Sequence, residues 1–118
     1  MAVSAEFIDH ILDTLSPLGP VVARRMMGGA TLYLGDLTFG KISDDMLYLK
    51  VGANNIADFE DAGSGPLTYM RGGKETALKS HWQMPKDLID DPDEMVAWAR
   101  SAVDAAQAAN KAKPKKKK

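Results

Sequence analysis

The stretch VVARRMMGGATLYLGDLTFGKISDDMLYLKV, residues 21–51, decides the fold. Its apolar and polar residues alternate with the period of two that marks a strand. Four consecutive strands are expected: Val21–Met27, Ala30–Leu34, Leu37–Ser43 and Met46–Val51. The links between them are Gly28-Gly29, Gly35-Asp36 and Asp44-Asp45. Gly and Asp tolerate positive φ, so each pair suits a two-residue hairpin turn. Such short links force antiparallel neighbours, because a parallel pair needs a crossover of about a dozen residues. Leu32 and Leu34 share one face, as do Leu47, Leu49 and Val51. Phe39 and Ile42 differ in parity, which predicts a bulge near Gly40.

Helices are expected on both sides of this meander. Phe7, Ile8, Ile11, Leu12 and Leu15 recur at helical spacing between Ser4, a fitting N-cap, and the breakers Pro17, Gly19 and Pro20. After the meander, Asn54 or Asn55 caps a short helix carrying Ile56 and Phe59, which Gly63 ends. Leu67–Met70 and Glu75–Trp82 form a further hairpin around Gly72-Gly73. Met84-Pro85 breaks it, and one helical turn fits Lys86–Ile89. The last helix has the clearest start: Asp91 as N-cap, Pro92 at the first helical position and Glu94 two residues later. Met95, Trp98, Ala99, Ala102 and Ala106 make its apolar face, and it is expected to fray near Asn110. The fold class is therefore α+β, an antiparallel sheet packed on one face by the first and last helices.

Composition sets the outer bounds. At 118 residues and 45% hydrophobic content, the chain suffices for one domain with a core. It has no cysteine, which excludes disulfides, cysteine-ligated zinc and cysteine nucleophiles. Met95–Ala99, its longest apolar run, is far too short to span a bilayer. Nor does the N-terminus resemble a signal peptide, so a cytoplasmic location is expected. Charge is divided unevenly. Residues 1–110 hold all 16 acidic residues and nine of the 15 basic ones, a balance of −7, whereas residues 111–118 hold six lysines and no acid. The first segment is the domain; the second is expected to be a disordered tail.

Several side chains are chemically suggestive, and each has a plainer reading. Asp44-Asp45 forms a carboxylate pair with Lys50 nearby, yet Asp is also favoured in β-turns and no further oxygen ligand follows at loop spacing. His10 sits between Asp9 and Asp13 on the helix face opposite the apolar stripe, where a pair with Asp13 is expected. His81, beside Trp82, suits a general base, but no motif ties a serine, threonine or carboxylate to it. Two histidines without ligand spacing give no metal site. Gly28-Gly29 is able to cradle an anion with help from Arg24 and Arg25, though a hairpin needs no ligand to explain it. Met26, Met27, Met46, Met70, Met84 and Met95 read as core filler, the alternative being an adaptable binding surface. Arg25 shares its parity with Val21, Ala23 and Met27. It is therefore expected to be partly buried and bonded near the Gly28-Gly29 turn, which it would fix; the alternative makes it a partner-binding anchor, with Arg24, Gly28 and Gly29 as the other candidate partner contacts. Lys115, Lys116, Lys117 and Lys118 offer nonspecific nucleic-acid contact without any stacking aromatic.

Arg25-Met26-Met27-Gly28-Gly29 and Asp44-Asp45-Met46-Leu47-Tyr48-Leu49-Lys50 resemble the N-terminal domain of the TfoX/Sxy family. Trp82 followed by Pro85 and the acidic start of the last helix agree, and the resemblance covers roughly residues 5–108. Family members often have an aromatic where Met27 stands and an apolar residue where Lys41 stands. The resemblance implies a secretion-chaperone-like α+β sandwich, often dimeric, with no catalytic residues and no cofactor to carry over. It also implies bacterial competence regulation, in which the family helps switch on DNA-uptake genes together with the cyclic-AMP receptor protein. Full-length regulators carry a second, C-terminal domain where this chain has its lysines, so a stand-alone N-terminal domain is expected. Three functions follow as expectations. The first is a non-enzymatic regulatory module that binds a protein partner such as the transcription machinery, with a homodimer as the expected assembly. The second is a nonspecific nucleic-acid-associated protein acting through the lysine tail. The third is a small enzyme using Asp44, Asp45 or His81.

Overall fold

The structure, a computed structural model, describes residues 5–26, 29–43 and 46–112. Among the described residues six antiparallel strands form one sheet: β1 (Val21–Met26), β2 (Gly29–Leu34), β3 (Leu37–Ser43), β4 (Met46–Lys50), β5 (Pro66–Arg71) and β6 (Lys74–Gln83). Their order across the sheet is β1-β2-β3-β4-β6-β5. The expected meander is thus present, antiparallel at every step. One detail of it differs. Met26 pairs with Gly29, so Gly29 opens β2 and is a strand residue, not half of the expected Gly28-Gly29 turn. Strand pairing satisfies the Gly29 backbone and draws it out of the turn. Met27, Gly28 and the expected Asp44-Asp45 turn lie outside the described residues.

The bulge falls where parity requires it. Leu32 faces Gly40, while Tyr33 faces Thr38, leaving Phe39 as the extra residue. The shift turns Phe39 and Ile42 toward the same interior, where both are buried. Gly40 allows the close approach, since a Cβ there would stand 3.2 Å from the Tyr48 carbonyl oxygen and 3.3 Å from Leu32.

Helix α1 (Ala5–Thr14) and helix α3 (Pro92–Ala112) pack on one face of the sheet. From α1 and the turn after it come Ile8, Ile11 and Leu15; from α3 come Met95, Ala99, Ala102 and Ala106. Beneath them lie Ala30, Leu32, Phe39, Ile42, Leu47 and Leu49. The short α2 (Ile56–Asp61) adds Phe59, whose ring meets Trp98 edge-on at 4.8 Å. At the start of α3 the Glu94 amide donates to the Asp91 carboxylate at 3.2 Å, as the capping pattern predicts. The Glu94 carboxylate accepts from the Trp98 indole at 3.1 Å. Helix α3 runs to Ala112, two residues past the expected fraying point at Asn110; residues 113–118, with Lys115 to Lys118, lie outside the described residues.

β5 and β6 turn through Gly72 (φ 59°) and Gly73 (φ 82°), a pair of left-handed residues that only glycine adopts without strain. Only Trp82 and its two neighbours, His81 and Gln83, pair with β4. Pro66 of β5 pairs with Trp82, and beyond it the rest of β5 and β6 form a two-stranded arm at the sheet's edge, where Tyr69 and Met70 are exposed. The methionines divide accordingly. Met84 and Met95 are fully buried, as expected of core filler, but Met70 is 67% exposed because the arm lies beyond the helices. No helix among the described residues is long and apolar enough to cross a membrane.

Candidate functional site

Helices cover one face of the sheet, and the alternate residues of the same strands make the other. Arg24 pairs with Thr31, Thr31 with Lys41, Lys41 with Tyr48 and Tyr48 with Gln83, a continuous row across five strands. Next to it, Lys50 pairs with His81 on one flank, and Val22 with Tyr33 on the other. Cross-strand neighbours at these spacings share a face and lie within side-chain reach. Three cations from three strands, Arg24, Lys41 and Lys50, are thereby gathered with two tyrosines and a histidine. The −7 balance of residues 1–110 conceals this local excess of positive charge.

Arg24 lies 5.8 Å from the Tyr33 ring centroid, within range of a cation–π contact. With Val22, Gly35 and Asp36 these two side chains line an open recess of about 320 Å³. Arg25 takes a different position from the one its parity predicts. It faces Ala30, so it does share the core side of the sheet, yet it is exposed. β1 is an edge strand and Arg25 sits near its end, where the long side chain reaches water. The expected partial burial of Arg25 is therefore corrected. Gly28 lies outside the described residues, and Gly29 serves as a strand residue.

Among the described residues His81 is the group whose protonation the fold perturbs most. It is 6% exposed, its Nδ1 lies 3.0 Å from the Ser80 hydroxyl, and its Nε2 is buried without a hydrogen-bond partner. Burial lowers its pKa from 6.5 to about 4, with smaller contributions from the charges of Lys41 and Lys50. The ring is therefore neutral at neutral pH. A general base is ordinarily oriented by a carboxylate; the side chain bonded to His81 is instead the Ser80 hydroxyl, and the charges of Lys41 and Lys50 act on its ring. Among the described residues no group of three or more His, Asp or Glu side chains gathers as metal ligands would. His81 lines neither the Val22–Asp36 recess nor the one between Ala62 and Asp87. Asp44 and Asp45 lie outside the described residues. His10 is exposed as expected, but its Nε2 lies 3.7 Å from an Asp90 carboxylate oxygen, which replaces Asp13 as its partner.

A second buried polar group, Asn55, acts as a clamp. Its side-chain oxygen accepts from the Gly52 amide at 2.8 Å, and its amide nitrogen donates to the Lys50 carbonyl at 3.0 Å and the Ser101 hydroxyl at 3.2 Å. The expected cap of α2 is thus the right residue with a different task. Its side chain makes no cap bond to α2 and ties the end of β4 to α3. It also anchors the backbone of Lys50, so the cationic end of β4 is held in place.

Sequence reasoning singled out Arg24, Arg25, His81 and Lys50 separately, and it did not assemble Arg24, Lys41, Tyr48, Lys50 and His81 into one face. Strand parity places Lys41, Tyr48 and Lys50 together once the bulge is included. His81 joins them only through the β4–β6 pairing, which no local signal announces.

The TfoX N-terminal domain family matches residues 13–106 of the chain. No curated protein matches it.

Proposed function

The chain belongs to the TfoX N-terminal domain family, and from that premise we propose that it is a non-enzymatic, cytoplasmic regulatory module of the competence type that works by binding a protein partner. The observation that carries this reading is the open sheet face. One whole side of a five-strand row is left polar and cationic by the described helices, a surface suited to recognition. A regulator without chemistry of its own needs such a surface and needs nothing else from the site. Support for the non-enzymatic part comes from His81, whose Nε2 is buried and which has no carboxylate bonded to it among the described residues.

The test is capture of partners from the native cell by the tagged chain, with and without residues 111–118. The expected result is one protein enriched by both forms, together with altered expression of DNA-uptake genes when the chain is deleted. The six lysines of residues 111–118 favour a second reading, nonspecific nucleic-acid association. That reading stands instead if capture needs the tail and disappears after nuclease treatment.

A further inference from the structure

We propose that the open face receives an extended, acidic segment of the partner protein, held by Arg24, Lys41 and Lys50. The inference rests on the protein-binding reading above and specifies its chemistry. The cations come from β1, β3 and β4, so they are spread over the face and fixed by a rigid sheet. Strands lie about 4.8 Å apart, which sets the backbones of Arg24 and Lys41, two strands apart, at about 10 Å. Alternate, same-side residues along an extended peptide repeat at about 7 Å, roughly 3 Å less, a difference that the long Arg and Lys side chains can take up so that successive carboxylates reach successive cations. Among the described residues, no carboxylate lies on this face in β1 to β4 or in His81–Gln83, and none forms an ion pair with Lys41 or Lys50. Asp36 borders the recess at the Tyr33 end.

His81 supplies an independent pointer. If its Nδ1 accepts from the Ser80 hydroxyl, the neutral ring carries its proton on Nε2, and that buried N–H lacks an acceptor. Buried polar groups are normally paired. A partner carboxylate drawn in by Lys41 and Lys50 would supply the missing acceptor once the atoms that cover Nε2 move aside, and the lysines would balance its charge.

A single-stranded nucleic acid fits the face less well. Base stacking needs an open aromatic ring, whereas Tyr33 and Tyr48 are both half-buried and Arg24 lies over Tyr33. A polyphosphate would also meet the net −7 of residues 1–110 beyond the reach of three cations. A short acidic segment carries fewer charges and engages only the local cluster.

Amide and histidine-ring NMR spectra of the full chain, titrated with a peptide of alternating Glu and Val, test the proposal. A Gln-for-Glu peptide and a single-stranded oligothymidylate serve as comparison arms. The expected result is saturable shifts at Lys41, Tyr48, Lys50 and the His81 ring with the acidic peptide alone. The double substitution Lys41→Gln/Lys50→Gln is expected to weaken binding roughly tenfold or more, while Lys74→Gln/Lys79→Gln on the arm leaves it unchanged. The same spectra report whether each variant is folded. Shifts confined to residues 111–118, equal binding by the Lys41/Lys50 variant, or tighter binding of the oligothymidylate at these amides would each overturn the proposal. If it fails while the tail-deleted chain still captures its protein, the partner docks elsewhere and the regulatory reading survives.

Discussion

The two faces of this sheet are built from alternate residues of the same strands, yet they carry different kinds of side chain. Leu32, Phe39, Ile42, Leu47 and Leu49 are buried to 1% or less beneath the helices. Their neighbours Arg24, Tyr33, Lys41, Tyr48 and Lys50 remain partly or fully exposed on the reverse. The covered face obtains stability from the removal of apolar area from water. With stability provided there, the open face is free to concentrate like charge, which contributes nothing to folding. The difference is sharpest where it is broken: Thr31 and His81 lie on the open side and are nevertheless buried. They mark where the polar face has a floor of its own.

The largest expected effect falls on the covered face. Phe39→Ala removes a fully buried ring at the bulge, and such truncations cost about 3–5 kcal/mol. Lys41→Ala, two residues away on the other side, should change stability by no more than about 0.5 kcal/mol. Urea unfolding of both variants checks the contrast. A comparable loss for Lys41→Ala would mean that the reverse face is a second core.

His81 gives the next largest effect, visible as a pH dependence. Its folded pKa, about 4, is below its ordinary 6.5. The unfolded chain therefore takes up a proton at a higher pH than the folded one. The stability associated with neutral His81 is complete above pH 6.5 and is lost as pH falls from 6.5 toward 4. The loss is at most about 3 kcal/mol. Denaturant midpoints measured from pH 7 to pH 5 should fall for the native chain and fall less for His81→Gln. Equal slopes would remove His81 from the buried, uncharged role described for it.

Asn55→Ala should cost about 2 kcal/mol, because it leaves the Gly52 amide and the Lys50 carbonyl without their side-chain partner. Asn55→Asp keeps the acceptor for Gly52 but loses both donors and buries a charge, so it should be at least as damaging. Thermal melts order the two variants. A stable Asp form would show that the bonds donated to the Lys50 carbonyl and to Ser101 are both dispensable.

What the sequence revealed and concealed follows from the range of the forces involved. Two-residue links constrain neighbouring strands locally, so the meander from Val21 onward was readable without any tertiary information. The opposite parities of Phe39 and Ile42 exposed the bulge for the same reason, and Asp91-Pro92 with Glu94 exposed the start of α3. The link from β4 to the arm imposes no such limit. Either β5 or β6 had the right alternation to join β4, and the choice of β6, which brings His81 beside Lys50, is made by packing. Arg25 shows the same boundary at the level of one residue. Parity placed it on the correct side, but burial depends on how far the helices extend over an edge strand, which parity does not encode. His10 found Asp90 and not Asp13 because the start of α3 lies near α1 in space and far from it in sequence.

The smallest expected effect is the coupling between Arg24 and Tyr33. The guanidinium carbon lies 5.8 Å from the ring centroid, near the outer limit for a cation–π contact, and Arg24 is exposed. Water screens such a pair, so its coupling should be about 0.5 kcal/mol and no more than about 1 kcal/mol. Arg24→Ala and Tyr33→Leu, alone and together, form a double-mutant cycle that isolates this quantity from the separate loss of packing at each site. The cycle also bears on the open face. If Arg24 is a weakly held cation, it can leave the ring for a partner carboxylate at little cost, and Arg24→Ala should then impair acidic-peptide binding more than stability. A coupling well above 1 kcal/mol would mean that Tyr33 locks Arg24 in place. The cationic face would in that case begin at Lys41, and the partner segment would cross only β3, β4 and β6.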